Sequence, residues 1–339
     1  MRSHRGALIM TYAIGAYAAS MVVVAFLVAT MGDRHPIGML LLFGPRWMLA
    51  LPWLVLLPLA WSMSRRTGGV ALVGAAVTLF LVSWFEVPTL HIPPRGLGAQ
   101  AAATLRLVTY NTDGSTALAS RIGHDVLGWN ADLVLMQDCA PEVAQALQRY
   151  RSTRRPPRRY HLYVDPEFCL LSRVPMQALT RKPATDGSYD SGRALRFEVI
   201  WQGEPVTIAT VHLPSPRLAL FAARQGDFTL LASSIRTRFG ASQATADWIR
   251  GGSRFGPLIV AGDFNLPVES PAFRDHWGAL RNAFSEAGWG FGHTMFAGSH
   301  RVRIDHILVD RAFAVRAASV LSGYPSEHQP VVADLTIGR

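Results

Sequence analysis

Two kinds of hydrophobic pattern divide the chain. Gly6 to Gly32, Trp47 to Ser64 and Thr67 to Phe85 are apolar throughout and contain no Asp, Glu, Lys or Arg. Each is close to the roughly 20 residues a helix needs to cross a bilayer, so the pattern predicts three transmembrane helices. Between the first two, IGMLLLF runs into Pro45 and Arg46. This reads as an interfacial stub with Arg46 at the headgroups, because a charge in hydrocarbon is costly. Trp47, Trp61 and Trp84 fall near the ends of the expected spans, where an aromatic belt would place them. From Leu105 onward the pattern changes to short apolar runs bounded by polar or turn residues. LRLVTY (105–110), DLVLMQ (132–137), FCLLS (168–172), ALRFEVI (194–200), VTIATVHL (206–213), PLIVAG (257–262), RIDHILV (303–309) and VVADL (331–335) predict strands. Leu118, Ile122, Val126 and Leu127 mark one helical face, and Leu218, Phe221, Ala222 and Leu230 mark another, on a helix around 217–239 expected to pack in the core.

The expected organisation is a membrane anchor over 1–86, a Pro-, Gly- and Ala-rich tether over 87–104, and an α/β domain over 105–339 large enough to bury a substantial core. Arg2, Arg5, Arg65 and Arg66 flank one side of the expected spans, against Arg34, Arg46 and Arg95 on the other. By the positive-inside rule the amino terminus lies inside. The expectation is a multi-pass protein of the cell membrane with an extracytoplasmic domain.

Composition excludes two classes and leaves a third disfavoured. Half of the residues are hydrophobic and 17% are charged, which excludes a disordered chain. The net charge of +10 is shared between anchor and domain and is carried by arginine, Lys182 being the only lysine, so it does not mark a nucleic-acid surface. RSTRRPPRR (151–159) could meet anionic lipid or nucleic acid, and is read as a solvated loop. Two cysteines exclude a disulfide scaffold, and no Cys/His cluster suggests zinc. Cys139 and Cys169 read as buried thiols, or as one disulfide if the domain lies outside the cytosol.

The chemistry lies in the acids, amides and histidines beside the strands. Asn111 and Asp113 follow the first strand in YNTDG, Asp138 ends the second, and His212 ends the fifth. Asp263 and Asn265 follow LIVAG, Asp305 lies in RIDHILV, and Glu327 with His328 precede the last strand. Most sit at the carboxyl ends of strands, where an α/β sheet opens into a crevice. The carboxylates Asp138, Asp113 and Glu327 suit a hard Mg²⁺ or Mn²⁺ ion, although Asp113 before Gly114 is equally a turn. Asp263 could orient and deprotonate a water, Asn265 could donate to a phosphate oxygen, and Asp305 could fix the tautomer of His328. These parts describe metal-assisted attack on a phosphoester. His124, His161, His276, His293, His300 and His306 lack such a pattern and read as surface or satisfied histidines; Arg193 and His293 could line the cleft.

The motifs YN, LxxxQ-acid, HL, GDFN, RIDHI and S-acid-H occur in the order of the endonuclease/exonuclease/phosphatase (DNase I-like) superfamily, which the segment 105–339 resembles. The resemblance implies a four-layer α/β sandwich of two mixed sheets. It implies Asp138 as main metal ligand, Asn111 as a phosphate or metal-shell residue, His212 on phosphate, Asp263 and Asn265 preparing the nucleophile, and Asp305 supporting His328. Two positions depart from the usual pattern: Asp138 stands where Glu is usual, and Glu327 where Asp is usual. The anchored arrangement is similar to bacterial membrane-anchored members such as the glycopeptide-resistance, VanJ-type group. This implies a membrane lipid or lipid-linked phosphate or pyrophosphate as substrate. An extracytoplasmic nuclease, with nucleic acid as a less favoured partner, and a catalytically impaired binding protein are the alternatives.

Overall fold

The computed structural model describes residues 2–85, 89–90, 104–153, 160–183, 191–252, 256–298 and 300–338. Most of the expected tether, 91–103, and most of the arginines of RSTRRPPRR lie outside the described residues. The chain divides into two compact units, Met1–Pro88 with Glu269–Pro271, and Thr89–Val268 with Ala272–Arg339.

The first unit is helical: α1 (Arg2–Met31), α2 (Pro36–Phe43), α3 (Trp53–Met63) and α4 (Arg65–Phe85). Among the described residues one helix, Arg5–Arg34, is long and apolar enough to cross a membrane; Pro36–Phe43 and Met48–Met63, bent by 85°, make a second candidate only if the bent pair is one span. Of the three spans expected from hydropathy, the first and third coincide with the continuous helices α1 and α4, and the second is interrupted. The stub before Arg46 is itself a helix, α2, opened by Pro36 and capped by His35, whose Nδ1 accepts from the Ile37 N–H at 3.2 Å. Trp47 to Ser64, expected as one helix, is a 3-10 turn over Arg46–Ala50 followed by α3 of 11 residues. Pro45 and Pro52 explain the break, since each lacks an N–H and disfavours helical geometry in the residue before it. Ile14, Trp53, Ala60, Ala71 and Ala75 form the interior of this unit. Gly74 lets α4 approach closely, because a Cβ there would lie 2.6 Å from the Trp53 ring. Leu8, Ile9, Phe26, Leu54, Val55, Leu72 and Val73 point outward, so these helices are apolar on their outer faces as well as inside.

The second unit runs β1 (Thr89–Leu90), β2 (Leu105–Asn111), α5 (Ile122–Trp129), β3 (Leu133–Gln137), α6 (Pro141–Thr153), β4 (His161–Val164), β5 (Phe168–Ser172), β6 (Gln177–Arg181), β7 (Arg193–Trp201) and β8 (Glu204–His212). It continues through α7 (Arg217–Arg224), α8 (Thr229–Gly252), β9 (Leu258–Asp263), α9 (Pro271–Trp277), β10 (Arg281–Asn282) and α10 (Ala283–Ala287). The last elements are β11 (Trp289–Gly290), β12 (Met295–Ala297), β13 (His300–Val302), β14 (Asp305–Val309), β15 (Phe313–Val320) and β16 (Val331–Ile337). Two six-stranded sheets result, ordered β15-β16-β2-β3-β5-β4 and β10-β14-β9-β8-β7-β6. Both are mixed: β2–β3 and β8–β9 are parallel, and the neighbouring pairs are antiparallel.

Strand alternation explains the layers. Leu105, Leu107, Leu133, Leu135, Phe168 and Leu170 face Leu195, Phe197, Ile208, Ile259 and Ile307 in one core between the sheets. The alternate residues Val108, Tyr110, Val134 and Met136 pack on Val126, Val143 and Leu147 of α5 and α6. On the other sheet Ala209, Val211, Val260 and Leu308 pack on Ala246 and Ile249 of α8 and on Phe273 and Trp277 of α9. This is the expected four-layer α/β sandwich.

One helix differs from its reading. The 217–239 helix is two helices, broken where Gly226 takes a φ of 88°. Within α7 it is Ala219 and Ala223 that are buried, while Leu218 and Phe221 are exposed, the opposite of the expected core face.

Cys139 and Cys169 form a disulfide across the β3–β5 pair, with a Cα–Cα distance of 5.8 Å and a sequence separation of 30. For a loop of that length cross-linking is worth about 3–4 kcal/mol. Replacing both cysteines with alanine is expected to lower stability by about that amount in urea unfolding of the detergent-solubilised chain.

His306 and His276 are satisfied core histidines. His306 Nε2 donates to Leu266 O at 2.9 Å, and its Nδ1 accepts from Asn282 Nδ2 at 3.1 Å. Burial pushes its pKa down to about 3. The folded pKa is depressed below the unfolded value, so the neutral imidazole's contribution is complete above about pH 6.5 and falls as pH drops toward 3, by about 1.4 kcal/mol per pH unit. Unfolding midpoints measured between pH 7 and 5 should decline on this account, and His306→Gln should flatten the decline.

Candidate active site

The inward-facing rows of the two sheets end together in polar residues. In one sheet register places Asp305 opposite Asp263, Asp263 beside His212, and His212 opposite Arg193. In the other, Asn111 pairs with Gln137, and Gln137 with Phe168. These residues continue the period-2 rows of Leu107, Leu135, Ile208, Ala261 and Ile307, so the same alternation that builds the core brings the site to one edge.

Asp263 is the centre. It is fully buried, and its Oδ2 accepts from Asn111 Nδ2 at 2.9 Å and Asn265 Nδ2 at 3.1 Å. Its Oδ1 accepts from the Asn265 backbone N–H at 2.8 Å. Two imidazoles bracket Oδ2, with His212 Nε2 at 3.7 Å and His328 Nε2 at 3.9 Å. Each is held from behind by a carboxylate: His328 Nδ1 meets Asp305 Oδ2 at 2.9 Å, and His212 Nδ1 meets Glu167 Oε1 at 2.5 Å.

Burial and the neighbouring Asp305 push the Asp263 carboxyl above its ordinary pKa, although His328 and His212 pull it the other way. Burial alone would depress His328. The charges of Asp305 and Asp263 and the hydrogen bond to Asp305 outweigh it, and His328 is pushed up to about 9, so it is a cation at neutral pH.

Local sequence explains how Asp263 is presented. Gly262 has a φ of 150°, and a Cβ there would lie 2.0 Å from Val211 O, so only glycine lets β9 lie against β8 at this point. Phe264 turns outward into the Phe273, Trp277 and His306 cluster and anchors the turn. Asn265 takes a φ of 50°, a left-handed conformation that asparagine tolerates. The buried Arg238 of α8 donates to Asn265 O at 2.6 Å and to Pro214 O at 3.2 Å, tying the turns after β9 and β8 together.

Asn111, His212, Asp263, Asn265, Asp305 and His328 thus lie together at this edge, and Asp113, Asp138 and Glu327 lie outside the compact group of Asp263, Asp305 and His328. Asp113 and Asp138 occupy left-handed positions on adjoining turns, linked by Gly114 N to Asp138 O at 3.1 Å. Asp113 also lies close enough for its charge to raise His328. The half-exposed Glu327 pairs with Arg217. Among the described residues, the Asp/His group whose ligand atoms lie within 4.8 Å of one another is instead Asp263, Asp305 and His328. Asp305 Oδ1 is buried without a hydrogen-bond partner. An open carboxylate oxygen beside a second carboxylate fits a hard divalent cation.

Sequence reasoning missed Glu167 entirely. It precedes Phe168 on β5, and no spacing relates it to His212; only the register of β5 on β3 carries it to this edge. There it pairs with Arg193 as well as His212. The Gln of LxxxQ has a structural role: Gln137 Nε2 donates to Thr109 Oγ1 at 3.1 Å and Thr210 Oγ1 at 2.9 Å, joining the two sheets below the site.

Solved structures share the fold. D. rerio TDP2 complexed with single strand DNA product matches with 14% identity and a TM-score of 0.53, over 69% of this chain and 99% of that one. A family protein from Leptotrichia buccalis matches with 12% identity and a TM-score of 0.51, over 69% and 100%. One from Bacteroides thetaiotaomicron matches with 15% identity and a TM-score of 0.53, over 70% and 99%. A search of curated proteins gives no match. The family model for the Endonuclease/Exonuclease/phosphatase family matches residues 108–328, most of the chain and the whole of this site, and the protein belongs to that family.

Proposed function

We propose that this protein is a membrane-anchored, Mg²⁺- or Mn²⁺-dependent phosphoester hydrolase that acts outside the cytosol on a lipid-linked phosphate or pyrophosphate. Members of its family are hydrolases of phosphoesters and generally use divalent metals. The observation that carries the hydrolase reading is the bracketed carboxylate. Asp263 is fixed by three N–H donors and stands between two imidazoles, each backed by its own carboxylate.

A phosphoester seated at this edge would meet the second Nδ2–H of Asn111 as an amide donor, while both Nδ2–H groups of Asn265 are engaged by Asp263 Oδ2 and Leu213 O and hold the carboxylate in place. The His328 cation would present Nε2–H to a phosphoryl oxygen while Asp305 holds Nδ1. Asp263, already raised by burial, is placed to accept a proton from a water aligned between the imidazoles. His212, held by Glu167 at Nδ1, presents its Nε2 to the same space from the other side. The carboxylates are the residues that would hold the metal, the open Asp305 Oδ1 beside Asp263 in the buried group and Asp138 and Asp113 at the rim, because a protonated His328 has no lone pair to offer an ion. A bound divalent ion would supply Lewis-acid polarisation of the phosphoryl oxygen and screen its developing charge.

Two observations support action outside the cytosol at a membrane. Disulfides persist in oxidising compartments, and Cys139–Cys169 is one. Arg5–Arg34 is long and apolar enough to serve as an anchor or a signal sequence. Tethering would raise the effective concentration of lipid-linked phosphates at the site, which supports that substrate class. An anchored nuclease is the second reading, favoured by the fold shared with a TDP2 solved with a DNA product.

The test uses the full chain in detergent with an isoprenoid phosphate, an isoprenoid pyrophosphate, bis(p-nitrophenyl) phosphate and plasmid DNA, each with Mg²⁺, Mn²⁺ or EDTA. Release of phosphate from the isoprenoid substrates with little DNA cutting is expected; preferential DNA cleavage selects the nuclease, and no hydrolysis of any substrate selects a binding protein. Asp263→Asn and His328→Ala should each lower kcat by roughly 10²–10⁴-fold. Activity insensitive to EDTA and to both substitutions would overturn the mechanism. Asp138→Asn separates the two donor sets: an increase of about tenfold or more in the Mg²⁺ needed for half-activation assigns the ion to the rim, and no change assigns it to the buried group.

A further inference from the structure

We infer that the catalytic unit carries its own membrane-docking face beside the active site, formed by α7 and the β12–β13 hairpin, and that its occupant is an anionic lipid bilayer. The inference rests on the anchored reading above and adds a contact that anchoring alone does not require.

The face is apolar where a water-facing surface has no need to be. Leu218 is 72% exposed and Phe221 57%, on the outer side of a helix whose inner side is alanine. Phe228, 56% exposed, follows at the start of α8. Phe296 of β12 and Phe291, which stacks on His293 with ring centroids 5.3 Å apart, are also exposed. Glu327 joins the two elements: its carboxylate pairs with Arg217 at the start of α7, and its carbonyl accepts the Phe296 N–H at 2.8 Å. The next residue is His328, so both apolar elements border one rim of the site.

Charge selects the occupant. Arg217 and Arg224 flank Leu218 and Phe221, α7 contains no acid, and Arg301 lies over the Phe296 ring at 5.7 Å. The acids nearby are Glu327, ion-paired with Arg217, and Asp227, an ionised cap of α8 that accepts from Thr229 N at 2.9 Å, so the three arginines against these two acids leave the rim with a net positive charge. A short helix with Leu and Phe on its exposed side and Arg at its borders is the composition that lies in the interface of an anionic membrane. The chain supplies the second argument. It carries a helix long and apolar enough to cross a bilayer, so on the anchored reading a lipid surface is always within reach. Docking through this rim would turn the site toward headgroup phosphates, at the cost of access for a bulky soluble polymer.

Both native cysteines are in the disulfide, so a single introduced cysteine can be labelled selectively. Leu218→Cys, Phe221→Cys and Glu204→Cys, the last exposed at the far end of β8 from His212, carry an environment-sensitive fluorophore on the full chain. The chain is placed in nanodiscs of phosphatidylcholine with or without phosphatidylglycerol, doped with a spin-labelled quenching lipid. Quenching several-fold stronger at 218 and 221 than at 204, and stronger with phosphatidylglycerol, is expected. Equal quenching at all three positions overturns the proposal, as does emission that follows protein concentration rather than the quenching lipid, which would mean that a second copy covers the face.

The double variant Leu218→Ser, Phe221→Ser gives an independent reading. It should hydrolyse water-soluble bis(p-nitrophenyl) phosphate as the parent does and lose roughly tenfold or more on bilayer-borne isoprenoid phosphate; equal rates on both substrates count against docking. If neither protein hydrolyses anything, the functional reading fails while the quenching result stands. If the chain does not co-purify with lipid, the anchored reading fails, and vesicles of the same lipids added to it still test the face.

Discussion

The site depends on the cost of burying the carboxylate of Asp263. An ionised carboxylate removed from water is destabilised by several kcal/mol unless hydrogen bonds and opposite charge compensate it. Three N–H donors and two imidazoles meet that need, and the imidazoles are themselves buried or half-buried groups that require partners. Hence the outer ring: Asp305 behind His328, Glu167 behind His212, Arg193 beside Glu167. Each added charge answers the one inside it, and the sequence of demands ends at the half-exposed rim, where water takes over.

The two sheets exist in a form that makes this possible. Their facing rows are aliphatic for most of their length and turn polar only at one edge. Gln137 bonds Thr109 and Thr210 at the boundary between the apolar and polar parts. Below it, packing holds the sheets at fixed separation; above it, side chains from both sheets reach one another. The disulfide fixes the strands β3 and β5 beside this edge, between the turns that carry Asp138 and Glu167. A rigid scaffold of this kind is what precise proton and phosphate chemistry asks for, since small displacements of catalytic groups are costly in rate.

Sequence and structure agree where signals are local. The eight expected strands are present, because period-2 alternation between two covering layers leaves a readable trace. GDFN is legible for the same reason: Gly262, Asp263, Phe264 and Asn265 each meet a requirement of one tight turn. The edge strands β4, β6 and β15 were not anticipated, being half-exposed and weakly patterned. Hydropathy marked the apolar segments of the first unit but could not tell a continuous helix from one interrupted at Pro45 and Pro52. Leu218 and Phe221 of α7 read as a core face because apolar residues at helical spacing usually pack inward, and spacing does not say which side of a short helix meets the sheet.

By itself the sequence determined the α/β class, the apolar amino-terminal region and the residues Asn111, His212, Asp263, Asn265, Asp305 and His328, since each sits in a motif a few residues long. Tertiary structure alone decided their partners. Glu167 reaches His212 across 45 residues, and Asn111 reaches Asp263 across 152, through strand register that no local pattern encodes. It also decided that Glu327 pairs with Arg217 while Asp263, Asp305 and His328 form the compact ligand group. The physical reason is one of range: turn and strand preferences act between neighbours, whereas the compensation of a buried charge is settled by whichever side chains packing brings within a few ångströms.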